Sequence, residues 1–178
     1  MITELEYRNL ANEFTVPISS IKAIDSVESN GQGFDLSTGR IVIQFETSYF
    51  KKISKLTTGL WSTNKVELQA KEWAAFNDAF SKNPNAAMES TSIGRMQVMG
   101  IHWERLGFES VGSMWDYAKI SESNQLWLGL KFISTNPKLL DAVQNRVWKT
   151  VAYLYNGPTY WIKGYDKKLE NAEIKFRT

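Results

Sequence analysis

The groups in this sequence that can carry out hydrolytic chemistry are carboxylates. Cysteine is absent and the one histidine is His102. Thiol nucleophiles, disulfides, cysteine-ligated metals and His-based metal clusters are therefore excluded, and a Ser-His-Asp triad would depend on that single residue. A lone histidine is more often a surface or satisfied residue than a catalyst. Among the carboxylates, Glu28 stands out by position. It ends the apolar run "PISSIKAIDSVE" and is followed at once by "SNGQG". An ionised acid there lies at the negative end of the helix dipole, the unfavourable end. Glu28 is thus either a solvated surface glutamate or a carboxyl kept partly protonated for proton transfer.

Two further local signals accompany it. In "ESTSIGRMQVMG", Ser92, Gly94 and Gln97 fall at what reads as a junction into a helix, where glycine permits close backbone approach to a ligand and glutamine both donates and accepts. In "AYLYNGP", an aromatic helix end leads to Asn156 and Gly157, residues that commonly stop helices.

The elements that must position these residues follow from periodicity and capping. Thr3 caps a first helix with Leu5, Leu10, Ala11 and Phe14 on one face. Pro17 opens a second, with Ile18, Ile21, Ala23, Ile24 and Val27 as its apolar stripe and Glu28 at its end. Ser37-Thr38-Gly39 reads as a turn and Ile41, Val42, Ile43 and Phe45 as a strand, so a small hairpin or sheet follows the Glu28 helix. Asn64 reads as the cap of a helix through Leu68, Trp73, Phe76 and Phe80. Asn83-Pro84 opens a short helix to about Glu89, "SVGSMWDYAKISESNQLWLGLKFIS" gives one or two more, Asn136-Pro137 begins another helical region, and "YDKKLENAEIKF" closes the chain. The expected architecture is α+β, mainly α, in a single domain over residues 1–178.

Length and composition agree with that. The chain has 178 residues, 43% hydrophobic and 22% charged, which suits one globular domain. A net charge of +2 with no basic stripe argues against nucleic acid as a partner. No stretch approaches the ~20 apolar residues of a spanning helix, and "MITELEYRNLANEF" lacks the features of a signal peptide. Synthesis in the cytoplasm without membrane insertion is the expectation. Seven Trp, seven Tyr and nine Phe form a rich aromatic set. Such rings serve a core or a sugar-binding cleft.

Taken in order, E-S after an apolar helix, S-x-G-x-x-Q, and Y-N-G near the C-terminus resemble the lysozyme superfamily, including goose-type lysozymes and lytic transglycosylases. The segments "VESNGQGF", "GRIVIQFE", "SIGRMQVMG" with "RLGF", and "YNGPTYWIKGYDKKLENA" are more closely similar to the N-acetylmuramidase family, the catalytic domain of many phage endolysins. The resemblance runs roughly from Ile18 to Ala172. His102 is a departure, standing where the family favours asparagine.

The resemblance implies a lysozyme-like fold and cleavage of the β-1,4 bond between N-acetylmuramic acid and N-acetylglucosamine in peptidoglycan, with no cofactor or metal. That chemistry needs an acid to protonate the leaving oxygen and a second group to stabilise or attack the oxocarbenium-like centre. Glu28 is the candidate acid, because a helix end beside an apolar run disfavours its ionised form. Glu46, at the end of the strand and within the resembling segment, is the first candidate for the second carboxylate, and Asp35 is its competitor. A separation of ~5 Å would suit a retaining route and ~6.5–9.5 Å an inverting one. By the same resemblance Gln97, Tyr155 and Asn156 would line sugar subsites, and Ser92 and Gly94 would shape the wall; Tyr165 and Trp161 either stack on sugar faces or, equally well explained, serve as core aromatics. Two alternatives stay open: a lytic transglycosylase using Glu28 alone to leave anhydro-muramic ends, and a non-catalytic glycan-binding module on the same fold. Action on the cell wall of a protein without a signal peptide would call for a holin or a secretion machine.

Overall fold

The computed structural model describes residues 2–29, 32–65 and 68–177. They form ten α-helices and a three-stranded antiparallel sheet, the mainly helical α+β architecture expected. The chain divides into two compact units: residues 1–31 with 126–178, and residues 32–125.

In the first unit, α1 (Glu4–Phe14) starts where the sequence places it. Thr3 accepts from the Glu6 amide, and the Glu6 carboxylate accepts from the Thr3 amide at 2.7 Å, a reciprocal cap. Helix α2 (Ile18–Ser29) follows Pro17 and buries Ile21, Ala23 and Ile24 completely or nearly so. Each such isoleucine is worth ~1.5–3 kcal/mol of apolar burial. Glu28 falls in the last turn, as read from the sequence; Asn30 and Gly31, read as part of the helix stop, lie outside the described residues. Helix α10 (Tyr165–Phe176) packs on α2 and on α9 (Trp148–Asn156), and α9 packs on α8 (Pro137–Gln144). Asn136 caps α8 by accepting from the Leu139 amide. A single helical region was expected after Pro137; Arg146, at φ 58°, instead breaks it into α8 and α9. Glu173 of α10 is fully buried and accepts from Ser19 of α2 at 2.8 Å and from Arg146 and Arg177 at 2.7 Å each.

In the second unit, β1 (Ile43–Phe45) pairs with β2 (Thr91–Ile93), which pairs with β3 (Val98–Met99). The strand read over 41–45 is therefore shorter than expected, with Ile41 bridged to Phe34 across the Ser37-Thr38-Gly39 turn. The sheet's long-range partner was not legible. Residues 91–99, read as a lead-in to a helix, are instead two short strands joined by a tight turn. The outer edge of β1 is closed by side chains of α4 (Gln69–Lys82): Gln69 exchanges two hydrogen bonds with the Ile43 backbone, and the Phe45 amide donates to Glu72 at 2.8 Å. An edge strand is thereby kept from pairing elsewhere.

Helix α3 (Thr47–Ser54) had no reading in the sequence. Nor does Asn64 cap a helix. It follows the 3₁₀ turn Leu60–Thr63 and donates to Glu72 at 3.0 Å, and α4 begins later, at Gln69. Asn83 caps α5 (Pro84–Glu89) as expected. Helix α6 (Val111–Ile120) is capped by Ser110, and α7 (Glu122–Ser134) begins in this unit. The core is aromatic. Phe50 meets Trp61 edge-on at 4.8 Å, and Phe76 stacks on Trp115 at 4.9 Å. Most of the rings thus serve packing, but Trp161 in the first unit does not, being 67% exposed.

Candidate active site

The first unit gathers four of the residues singled out in the sequence. Glu28 projects half-buried from the last turn of α2, and Asn156, the last residue of α9, donates its Nδ2 to Glu28 Oε1 at 3.0 Å. The two sit 128 positions apart in sequence. Gly157, at φ 89°, ends α9 in a conformation a side chain would strain, so the chain can turn away directly after Asn156. Burial raises the Glu28 carboxyl above the usual carboxylate range, while the Asn156 hydrogen bond and the positive charge of Lys163 oppose that rise in part. Because the Asn156 bond falls on Oε1, a proton on Oε2 would remain available for transfer.

Tyr155 and Tyr165 share this environment. Burial, and then the negative charge of Glu28, raise both phenols above their ordinary value, so each keeps its proton as a hydrogen-bond donor. Tyr155 also meets Phe132 edge-on at 5.8 Å. Tyr165 opens α10 and lines a cavity of about 210 Å³ together with Asn156, Thr159, Tyr160, Ile162 and Lys163. Lys163 escaped the sequence reading; its only signal is its place between the Y-N-G motif and Tyr165.

The second unit carries the remaining candidates. Successive residues of a strand face opposite sides of a sheet. In β1, Ile43 and Phe45 are buried and Gln44 is half-exposed; in β2, Thr91 and Ile93 are buried and Ser92 is half-exposed. Gln44 and Ser92 are direct cross-strand partners. Glu46 follows β1, its amide bound to the Ser90 carbonyl and its carboxylate accepting from Gln44 Nε2 at 2.6 Å. Glu46, Gln44 and Ser92 therefore share the outer side of the sheet. Gln44 was missed, although strand alternation with Glu46 two residues on is a usable signal.

Gly94 and Gln97 shape the β2–β3 turn. Gly94 has φ 67° and lies against the Gln125 side chain, where a Cβ would come within 2.7 Å, so both conformation and space require glycine. Gln97 is itself left-handed, at φ 47°, and its Nε2 donates to the Gly94 carbonyl at 2.7 Å. Such a backbone in a non-glycine residue is uncommon and is held by its surroundings. Beneath the turn, Arg95 pairs with Glu122 at 3.0 Å, Glu122 accepts from the Gly33 amide at 3.0 Å, and the Arg95 amide donates to Gln125 at 2.9 Å.

Asp35 stands differently. One of its oxygens accepts from the amides and hydroxyls of both Ser37 and Thr38, bonds that hold its carboxyl below the usual range. Its side-chain hydrogen bonds build the turn, and among the described residues none goes to the sheet. His102 is half-buried, and burial, with Arg105 nearby, lowers its pKa, so it is neutral at neutral pH. Among the described residues no group of three His, Cys, Asp or Glu side chains is placed to hold a metal ion.

Comparison with known proteins identifies the family and the fold. The family model for N-acetylmuramidases matches residues 17–177. Four chains of solved structures match significantly. One of them, the crystal structure of the Burkholderia AP3 phage endolysin, has a TM-score of 0.89 and 31% identity, over 98% of this chain and 70% of that one. No curated protein sequence matches significantly. The chain has the fold of an endolysin, and it is a lysozyme-type glycoside hydrolase of peptidoglycan that belongs to the N-acetylmuramidase family.

Proposed function

We propose that this protein, acting as one catalytic domain, cleaves the β-1,4 bond between N-acetylmuramic acid and N-acetylglucosamine, with Glu28 as general acid. The observation that carries this reading is the half-buried Glu28 carboxyl, raised in pKa and held by Asn156. An acid catalyst near neutral pH must retain its proton, and burial shifts Glu28 in that direction. Glu28 gives its proton to the glucosamine oxygen as the bond from muramic C1 to that oxygen breaks, and the bonding pair stays on the oxygen. Water supplies hydroxide to C1 and its remaining proton passes to a carboxylate, for which Glu46 is the choice. Glu46 is preferred over Asp35 because the Asp35 carboxylate is committed to its own turn. The residues proposed to contact sugar are Tyr155, Asn156, Tyr165 and Trp161, together with Ser92, Gly94 and Gln97. Passage to the wall would be provided by a holin or a secretion apparatus; among the described residues no helix is long and apolar enough to cross a membrane.

Clearing of a cell-wall suspension, followed by turbidity, tests the assignment. Glu28→Gln should lower the rate by about 10²–10⁴-fold, the usual contribution of a general acid. Glu46→Gln should also lower it strongly, whereas Asp35→Asn should not. Full clearing by Glu28→Gln would refute the assignment of the acid, and failure of the wild type to clear walls would leave only a glycan-binding role.

A further inference from the structure

Lys163 is not explained by acid catalysis. A cation beside a general acid favours the ionised form of that acid and so works against its protonation. Yet Lys163 lines the same cavity as Asn156, the residue bonded to Glu28. It follows the 3₁₀ turn Tyr160–Ile162 and precedes Gly164, which is left-handed at φ 63°. Among the described residues no carboxylate lies within salt-bridge distance of it. The neighbouring charges are otherwise engaged: Lys167 pairs with Glu170 at 3.0 Å and feels Asp166, while Lys168 stands 5.5 Å from the centre of the Tyr165 ring. Lys163 is thus the one cation among the residues that line the cavity.

An open cavity with a lysine on its wall, in salt-bridge contact with no carboxylate among the described residues, is suited to an anion on the ligand. Glycan strands of N-acetylglucosamine alone carry no charge. The muramic residue differs through its lactyl group, which bears either a free carboxylate or a peptide that carries carboxylates. We propose that Lys163 and the cavity it lines form a subsite for a carboxylate attached to the muramic unit, so that the enzyme selects charged wall over neutral glycan. The inference rests on the reading of Glu28 as the acid at this face.

The test pairs enzyme variants with substrate variants. Purified peptidoglycan is compared with the same material after its free carboxylates are converted to neutral amides with a carbodiimide and methylamine, and kcat/KM is measured on both. Wild type should prefer the untreated wall by about fivefold, the scale of one partly exposed ion pair. In Lys163→Met that ratio should fall to about one, and Lys163→Arg should restore it. Taking the ratio cancels any effect of Lys163 on Glu28 itself. No preference by wild type, or an unchanged ratio in Lys163→Met, would overturn the subsite. Strands freed of peptide by an amidase, which keep the lactyl carboxylate, locate the anion: a preference retained on them assigns it to the lactyl group, and one lost assigns it to the peptide. Glu28→Gln run in parallel separates the two claims. If it is inactive on both substrates while the Lys163→Met ratio is unchanged, only the subsite falls; if it cleaves both, the acid assignment falls first.

Discussion

Glu28 is held between opposing influences. Burial favours its neutral form, and Asn156 and Lys163 favour the ionised one. The net shift is upward, so the acid stays protonated into a range where an ordinary glutamate would be ionised, and activity should decline as pH rises through the shifted value. Removing a group that lowers the pKa should extend that range. Asn156→Ala should therefore move the basic limb of the pH–rate profile to higher pH, with a lower maximal rate from lost substrate contact. A limb that stays in place, or moves to lower pH, would contradict the electrostatic role given to Asn156. Of this residue-scale picture, the position of Glu28 at the end of an apolar helix was legible in sequence. Its bond to Asn156 was not, because 128 positions separate them. The packing of α9 and α10 against each other, and of α10 on α2, brings the two motifs into one place.

At the scale of elements, α2 carries Glu28 and is fixed to α10 by the buried Glu173, with Arg146 at the α8–α9 break completing the cluster. Burial by itself would raise the Glu173 carboxyl, but hydrogen bonds from Ser19, Arg146 and Arg177 outweigh it and hold the carboxyl below the usual range. A depressed folded-state pKa contributes stability that is present above the unfolded-state value and is lost as pH falls through the folded one. Glu173→Gln should accordingly cost about 2 kcal/mol at neutral pH, and the difference from wild type should vanish in acid. Chemical denaturation at both pH values measures this; an equal cost at both would mean that packing rather than charge holds the cluster. Helices with clear caps, at Thr3, Asn83 and Asn136, were readable in sequence. The hairpin at 91–99 was not. Strands of two and three residues give no usable period, and the turn between them is set partly by Gln97 in a backbone conformation that glutamine rarely adopts. Asn64 misled for the opposite reason: its amide satisfies Glu72 instead of a helix end.

The whole molecule is built from two units, one of them assembled from both ends of the chain, and the N-acetylmuramidase match runs through both. The chain passes between the units after residue 31 and again after residue 125. Within the second unit these two places are tied together, because Glu122 accepts from Gly33 and pairs with Arg95, while Gln125 accepts from Arg95. The Arg95 and Glu122 side chains are only 6% and 15% exposed, so the pair is effectively buried. Breaking one partner of such a pair costs ~3–5 kcal/mol. Glu122→Gln should lower the melting temperature by several degrees, and a change within the error of calorimetry would show that the pair is dispensable. Periodicity and capping made the mainly helical fold legible, and the lack of cysteine and the single histidine left carboxylates as the candidate hydrolytic groups. The association of Arg95, Glu122 and Gly33 has no signature in sequence, since each is an ordinary residue whose partner is chosen by the fold.

The central claim is the bond cleaved and the acid that cleaves it. Mass spectrometry of the muropeptides released from purified peptidoglycan, by wild type beside Glu28→Gln, addresses both at once. The expected result is reducing muramic acid ends from the wild type and none above background from the variant. Products lighter by one water would mean anhydro ends, and hence a transglycosylase in which Glu28 works without a second carboxylate. Reducing muramic ends released undiminished by Glu28→Gln would contradict the assignment of the acid outright.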